Sequence, residues 1–325
     1  MSTDSFGKHW GDKPYRSFDY EMKQRFGEKV YKVSLEGGMT CPNRDGTIGT
    51  GGCIFCSGNG SGDFASPRTD SVTHQIDCGI EGISSRKHVG NKFIAYFQSF
   101  TNTYAPVDTL RPMFMETIRH PSIVMLSIAT RPDCLPDNVL ALLDECRHIK
   151  PVIVELGLQT VHERTAALIR RGYPLATYDT AVASLKSLGL EVVTHVIAGL
   201  PFETREDFLE TVFYVGNSGC DGIKLQLLHV IQNTDLDTLY KKGVFDVLTM
   251  DDYVDTIISA LSILPEEMVI HRLTGDGPAH LLTAPAWSRR KREVLNEIHR
   301  KMGRRHMWQG KERKHYIYER SSDSI

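Results

Sequence analysis

The stretch Pro151–Thr204, PVIVELGLQTVHERTAALIRRGYPLATYDTAVASLKSLGLEVVTHVIAGLPFET, decides the fold class. It opens on a β-branched run, Val152–Leu158, passes through an amphipathic stretch, Thr177–Leu188, and returns to a second run, Glu191–Ala198. Short apolar runs separated by a helical repeat predict parallel strands joined by helical crossovers. The alternation continues outwards. Further strand candidates are Lys29–Leu35, Lys92–Gln98, Ile123–Ala129 and Gly222–Leu228, and helical patterns cover Asp108–Ile118, Pro136–Arg147 and Arg205–Ser218. Most of the strand runs are apolar on both faces, as strands buried between helices and a filled interior are. Six such units build an open doubly wound sheet or a partial barrel. Polar and glycine-rich residues cluster just after the strands, where α/β proteins place their sites. Beyond them, Asp251–Leu264 reads as a helix, Met268–Leu273 as a short strand, and His271–Pro278 as a loop placed to close over a barrel mouth or simply to connect.

A chain of 325 residues suffices for one large α/β barrel or two ordinary domains. A formal net charge of −2 gives no bulk argument for a nucleic-acid partner, but the distribution does. The C-terminal stretch SRRKREVLNEIHRKMGRRHMWQGKERKHY, residues 288–316, is strongly basic and interleaved with aromatics, a mixture that neutralises phosphates and stacks on exposed bases. It reads as a helix running to about Gly303. No apolar run approaches the roughly 18–20 residues that span a bilayer. The first residues lack a charged-then-apolar signal, so a cytoplasmic location is expected, with no membrane partner. There thiols stay reduced, and seven scattered cysteines argue against a disulfide framework.

Three cysteines have a different character. In TCPNRDGTIGTGGCIFCSGNGSGDF, residues 40–64, Cys41, Cys53 and Cys56 are spaced Cys-x11-Cys-x2-Cys, with Gly46, Gly49, Gly51 and Gly52 between them and Phe55 before the last. Structural zinc wants four protein ligands, whereas an iron-sulfur cluster held by three leaves one iron open. A zinc knuckle completed by His74 is the alternative at this level. Cys78, Cys134, Cys146 and Cys220 have no paired spacing and are expected to be small buried hydrophobes. His195, His229 and His271 sit on or near predicted strands and are candidates for a pocket lining.

With these motifs in order, residues 25–275 resemble the radical S-adenosylmethionine (SAM) superfamily, particularly the branch of the elongator catalytic subunit, which shares a lengthened first cysteine spacing. Phe97–Tyr104 (FQSFTNTY) stands where the family contacts the SAM amino group, without its paired glycines and glutamate. Ala129–Asp133 (ATRPD), Val154–Thr160 (VELGLQT), His195–Thr204 (HVIAGLPFET) and Gln226–Leu236 (QLLHVIQNTDL) follow at successive strand ends. The resemblance implies a partial (β/α)6 TIM-type barrel at 25–275, an N-terminal extension at 1–24, and a basic helical extension at 276–325. It implies Cys41, Cys53 and Cys56 as metal ligands of a [4Fe-4S] cluster, and Gln98, Ser99, Glu155, Gln159, Ile197 and Gly199 as cofactor-binding residues. The activity implied is reductive cleavage of SAM to a 5′-deoxyadenosyl radical, with tRNA uridine as substrate, the basic segment as its contact, and a reductant such as flavodoxin or ferredoxin. A small-molecule or protein substrate is the second enzymatic reading. A zinc-stabilised RNA-binding adaptor is the non-enzymatic one.

Overall fold

The structure is a computed structural model that describes residues 8–58, 60, 71–275 and 277–322, with side chains to 318. Residues 61–64 and Asp276 of the expected loops lie outside the described residues. Seven parallel strands follow the order β1 (Tyr31–Leu35), β2 (Phe93–Phe97), β3 (Ile123–Thr130), β4 (Val152–Gln159), β5 (Glu191–Ala198), β6 (Gly222–Leu227) and β8 (Val269–Arg272). The fold class is the partial TIM-type barrel with C-terminal helices. All six expected strands form, and the seventh is the short run expected at 268–273. A separate antiparallel pair, β7 (Val230–Ile231) with β9 (Leu282–Ala284), was not expected from so few residues.

The chain forms two compact units. One holds residues 22–158 and 166–194. Within it β1 to β4 pair in parallel, for example Val33 with Ala95, Ala95 with Leu126 and Ile128 with Val154. All five β2 residues are buried, as a central parallel strand requires. α3 (Val107–Arg119) buries Leu110, Phe114 and Ile118, one stripe at i, i+4, i+8, with Phe114 against Phe97 at 5.4 Å between ring centroids. α4 (Asp137–Arg147) and α6 (Leu175–Ser187) form close to the expected limits. α2 (Val72–Ser84) is a helix the sequence did not announce, because Gly82, Gly79 and β-branched residues give it poor intrinsic propensity. Its Ser71 cap and its docking override that: buried Gln75 accepts from the Glu36 amide (2.9 Å) and donates to the Glu36 carbonyl (3.2 Å) at the end of β1.

The other unit holds residues up to 21, 159–165 and everything from 195. Here β6 pairs with β8, and Ser17 adds a further parallel bridge to Ile270. α7 (Arg205–Asn217) begins with a capping box between Thr204 and Asp207. α9 (Met250–Ile263) buries nine of its residues and carries α10 (Lys291–Arg304) through Val294, Ile298 and Met302. Among the described residues, no helix is long and apolar enough to cross a membrane.

Much of the basic tail is used up within this unit. Lys301 bonds Asp251 (3.0 Å) and Asp255 (2.9 Å), Arg305 reaches Asp255 (3.1 Å), and Arg313 donates to the Ile263 and Gly216 carbonyls. Trp287 donates to the Leu248 carbonyl and packs on Tyr253, and Tyr316 packs on Phe213. These groups are part of the fold. Arg289–Arg292, with Glu293 and Asn296, line an open cavity of about 430 Å³, where Arg289 also donates to the Leu282 carbonyl and Arg290 pairs with Glu293.

Candidate active site

The cysteine loop leaves β1 through Gly37–Thr40 and is built from interlocking turns. The Cys41 carbonyl accepts from the Arg44 and Asp45 amides, the Pro42 carbonyl from Ile48 and Gly49, and the Cys53 carbonyl from Cys56 at 3.0 Å. Of the four expected hinge glycines, Gly46 (φ 94°) and Gly52 (φ 71°) take the left-handed conformation. Gly52 also leaves room for Arg44, whose guanidinium would lie 2.9 Å from a Cβ there. That guanidinium donates to the Cys56 and Ser57 carbonyls at 3.1 and 2.6 Å and lies over Phe100.

A second segment, Ile169–Tyr173, braces the loop. Buried Asn43 donates to the Arg170 carbonyl at 2.6 Å and comes within 3.5 Å of the Cys53 sulfur, while the Ile54 amide donates to the Ile169 carbonyl. The brace is itself fixed. Arg171, 2% exposed, donates to the Tyr173 carbonyl, and the Tyr173 hydroxyl donates to the Gly157 carbonyl of β4. Arg131 grips Asp133 with two bonds (2.9 and 2.7 Å) and donates to the Arg171 carbonyl at 2.9 Å. The Arg131-Pro132-Asp133 element is therefore a clamp on the brace. Its Asp133 partner holds the guanidinium charged despite burial. Burial, then the neighbouring Cys56, push the Cys53 thiol up to about 11.

Asn43 and Arg170–Tyr173 were not singled out in the sequence, and no local signal marks a buried arginine. Gly172 was the nearest clue. Its φ is 84°, and a Cβ there would stand 2.7 Å from Asn43 Oδ1 and 3.3 Å from Arg131 Nη2. Gly172→Ala is expected to cost about 1–3 kcal/mol through backbone strain and displacement of Asn43. Thermal unfolding and iron content after reconstitution should both fall; a wild-type melting curve with full iron would refute the brace.

In the same unit the strand ends bring several expected residues into place. Gln98 Oε1 accepts from the Ser34 hydroxyl at 3.3 Å. Ser99 is fully buried, and its hydroxyl makes no hydrogen bond to any described residue; Asn102 Oδ1 is in the same position. Such orphaned buried groups are rare and mark places where a further partner belongs. Glu155 is the reverse case. It is fully buried, and its oxygens accept from Lys32 (2.7 Å), Ser127 (2.8 Å) and Tyr96 (3.0 Å).

The remaining expected residues belong to the other unit. Gln159 has φ 71°, uncommon for a residue with a side chain and placed just where β4 ends. Ile197 is buried, and Gly199 turns with φ 83° under Leu248. His195 on β5 meets the Gln226 amide of β6 at 3.1 Å. Glu203, two residues past Pro201, is largely buried and accepts from Thr160 at 2.6 Å, and burial raises its pKa. Of the other cysteines, Cys134, Cys146 and Cys220 are buried as expected, but Cys78 is exposed on α2, 3.5 Å from the His74 ring.

Residues 44–215 match the Radical SAM superfamily, and residues 220–304 match the Radical SAM C-terminal domain. The chain belongs to the radical SAM superfamily. This radical SAM protein is 46% identical to YtqA of Bacillus subtilis over 311 residues, 96% of each chain. It is 28% identical to the tRNA uridine(34) acetyltransferase of Methanocaldococcus infernus over 51% of this chain and 31% of that one. Among solved structures it resembles the archaeal Methanocaldococcus infernus Elp3 with a TM-score of 0.65 and 18% identity, covering 86% of this chain and 64% of that chain. That likeness is one of fold, and this chain spans less than two thirds of that structure.

Radical SAM enzymes bind a [4Fe-4S] cluster and SAM, and this one is an enzyme of that kind. Its donor set fits the cluster. The three thiols share one braced loop, with Cys41 and Cys56 both within electrostatic reach of Cys53. Among the described residues, no three ligand-type side chains converge to hold a single metal ion. Three cysteines on a cluster each serve a different iron, so they need not converge on one point. The orphaned Ser99 and Asn102 groups suit a polar cofactor after β2.

Proposed function

We propose that this enzyme holds its cluster through Cys41, Cys53 and Cys56 and modifies uridine in tRNA. The cluster and SAM, when bound, supply a 5′-deoxyadenosyl radical after one-electron reduction by a donor such as flavodoxin or ferredoxin. The chain's own residues do the positioning. Asn43 and Arg44 lock the loop that carries the thiols, and Arg131 and Tyr173 hold its brace. Ser99, with Gln98 and Asn102 beside it, offers polar contacts to the amino-acid part of SAM. Gln159, Ile197 and Gly199, in the other unit, are the further residues that the family resemblance assigns to cofactor binding. Glu155 acts differently, as a strut that fixes Lys32 and Tyr96 on the strands that carry the site. The reaction belongs in the cytoplasm, where the thiols stay reduced and tRNA is at hand.

The observation that carries the tRNA reading is the open cavity lined by the cations of Arg289–Arg292. Similarity to a tRNA uridine(34) acetyltransferase over half the chain supports it. The test compares tRNA nucleosides from cells with and without the gene, under aerobic and anaerobic growth. A uridine derivative should disappear with the gene; identical profiles in both conditions would sink the reading. A second measurement concerns the cavity. Lys291→Glu with Arg292→Glu should weaken tRNA binding about 10–100-fold near physiological salt and flatten the salt dependence by roughly two phosphate contacts. Unchanged affinity would remove the tail from the interface.

A further inference from the structure

An open cavity of about 640 Å³ lies between the segment after β2, residues 103–106, and the segment after β3, residues 132–136. All of it belongs to the unit that carries the cysteine loop. Sites for small ligands and cofactors run to about 300–1,000 Å³, so the cavity has the size of one. Its walls do not collapse to fill it. Pro106 and Pro136, with φ fixed by their rings, stand at the N-termini of α3 and α4. Their carbonyls accept the first helical bonds, from Thr109 and Leu110 and from Val139 and Leu140.

The polar side chains of the wall are already engaged. The Thr103 hydroxyl donates to the Cys134 carbonyl and pairs with the Thr130 hydroxyl, the Tyr104 hydroxyl pairs with that of Thr47 at 2.9 Å, and Asp133 holds Arg131. What the wall offers a ligand is the Tyr104 ring, Ala105, Leu135 and three prolines, a surface for a flat apolar group.

The position of the cavity indicates which group. Tyr104 reaches the cysteine loop at Thr47, and Asp133 reaches the brace of that loop through Arg131. The buried Cys134 thiol lines the cavity and lies within electrostatic reach of Cys41. A group seated here is therefore close to the first of the three thiols. Closeness to the cluster is what a one-electron donor requires.

We propose that this cavity docks the electron donor by receiving the apolar edge of its flavin. The flavin ring system ends in a dimethylbenzene edge, flat and uncharged, which stacks on Tyr104 among the prolines. One electron passes from the reduced flavin to the oxidised cluster. The donor is oxidised by one electron, the cluster is reduced by one, and no bond forms or breaks between the two proteins. The inference rests on the cluster reading above and is independent of the tRNA reading.

The test uses reconstituted full-length enzyme at matched iron content, reduced either by flavodoxin with its reductase and NADPH or by dithionite, which is too small to need a docking site. Ala105→Phe and Leu135→Trp fill the cavity. Each should lower the ratio of flavodoxin-driven to dithionite-driven 5′-deoxyadenosine release about tenfold, the effect of losing one buried apolar edge. Flavodoxin binding, measured by biolayer interferometry without turnover, should weaken in parallel. A ratio preserved in both variants, whether the two rates hold or fall together, overturns the docking site and leaves the cluster reading intact. Wild-type enzyme that cleaves SAM with dithionite but neither binds flavodoxin nor accepts its electron overturns the flavin donor and this site with it. Wild-type protein that stays colourless and is silent with both reductants overturns the cluster reading itself.

Discussion

Cys53→Ala is expected to yield a folded protein that stays colourless after anaerobic reconstitution and releases no detectable 5′-deoxyadenosine. Cys53 is the central donor of the three, with Asn43 at 3.5 Å and the Arg170 carbonyl at 3.6 Å. Removing it leaves two thiols, too few to hold the cluster against loss to solvent. The turn around it is made by backbone bonds, Cys56 to Cys53 and Gly52 to Asn43, which alanine retains. Circular dichroism should therefore match wild type. Cys78→Ala, on the exposed face of α2, is the control and should keep full iron. A brown, SAM-cleaving Cys53→Ala protein would mean that the cluster sits elsewhere. Assembly also carries a pH signature. With its pKa near 11, the metal-free Cys53 thiol is protonated at neutral pH, and the metal must displace that proton. Cluster loading should rise from pH 7 to pH 9.

Glu155→Ala is expected to destabilise the fold strongly. Its carboxylate is fully buried and receives Lys32, Ser127 and Tyr96, so alanine removes an acceptor that these three donors share. Breaking a buried pair by removing one partner costs about 3–5 kcal/mol. The Lys32 side chain is 22% exposed, so water recovers part of that, and about 2–4 kcal/mol is the expected loss. Thermal unfolding should fall by about 5–10 °C. Glu155→Gln, which preserves size and one acceptor, should lose less. If Glu155→Ala melts like wild type and instead raises only the KM for SAM, the residue is a cofactor contact and not a strut.

The two results separate what different parts of the sequence disclosed. Cys41, Cys53 and Cys56 were legible because their identity and spacing restrict the chemistry whatever surrounds them. Glu155 was legible as an isolated acid on a strand, but its partners come from β1, β2 and β3, up to 123 residues away. The basic tail read as a segment that could neutralise phosphates, and within it acidic α9 and backbone carbonyls hold Lys301, Arg305 and Arg313. The helix at Val72–Ser84 was missed because its stability comes from docking Gln75 and not from propensity.

Taken alone, the sequence determined the parallel α/β class, where the strands fall along the chain and which cysteines are candidate ligands. Period, β-branching and ligand type are local properties, and they survive without knowledge of the fold. Tertiary structure alone decided that Arg170–Tyr173 braces that loop, that Arg131 clamps the brace, and that His229 lies between Gly275 and Gly277. Each of these is a contact between segments far apart in the chain. Its free energy depends on burial and geometry that no stretch of residues carries by itself.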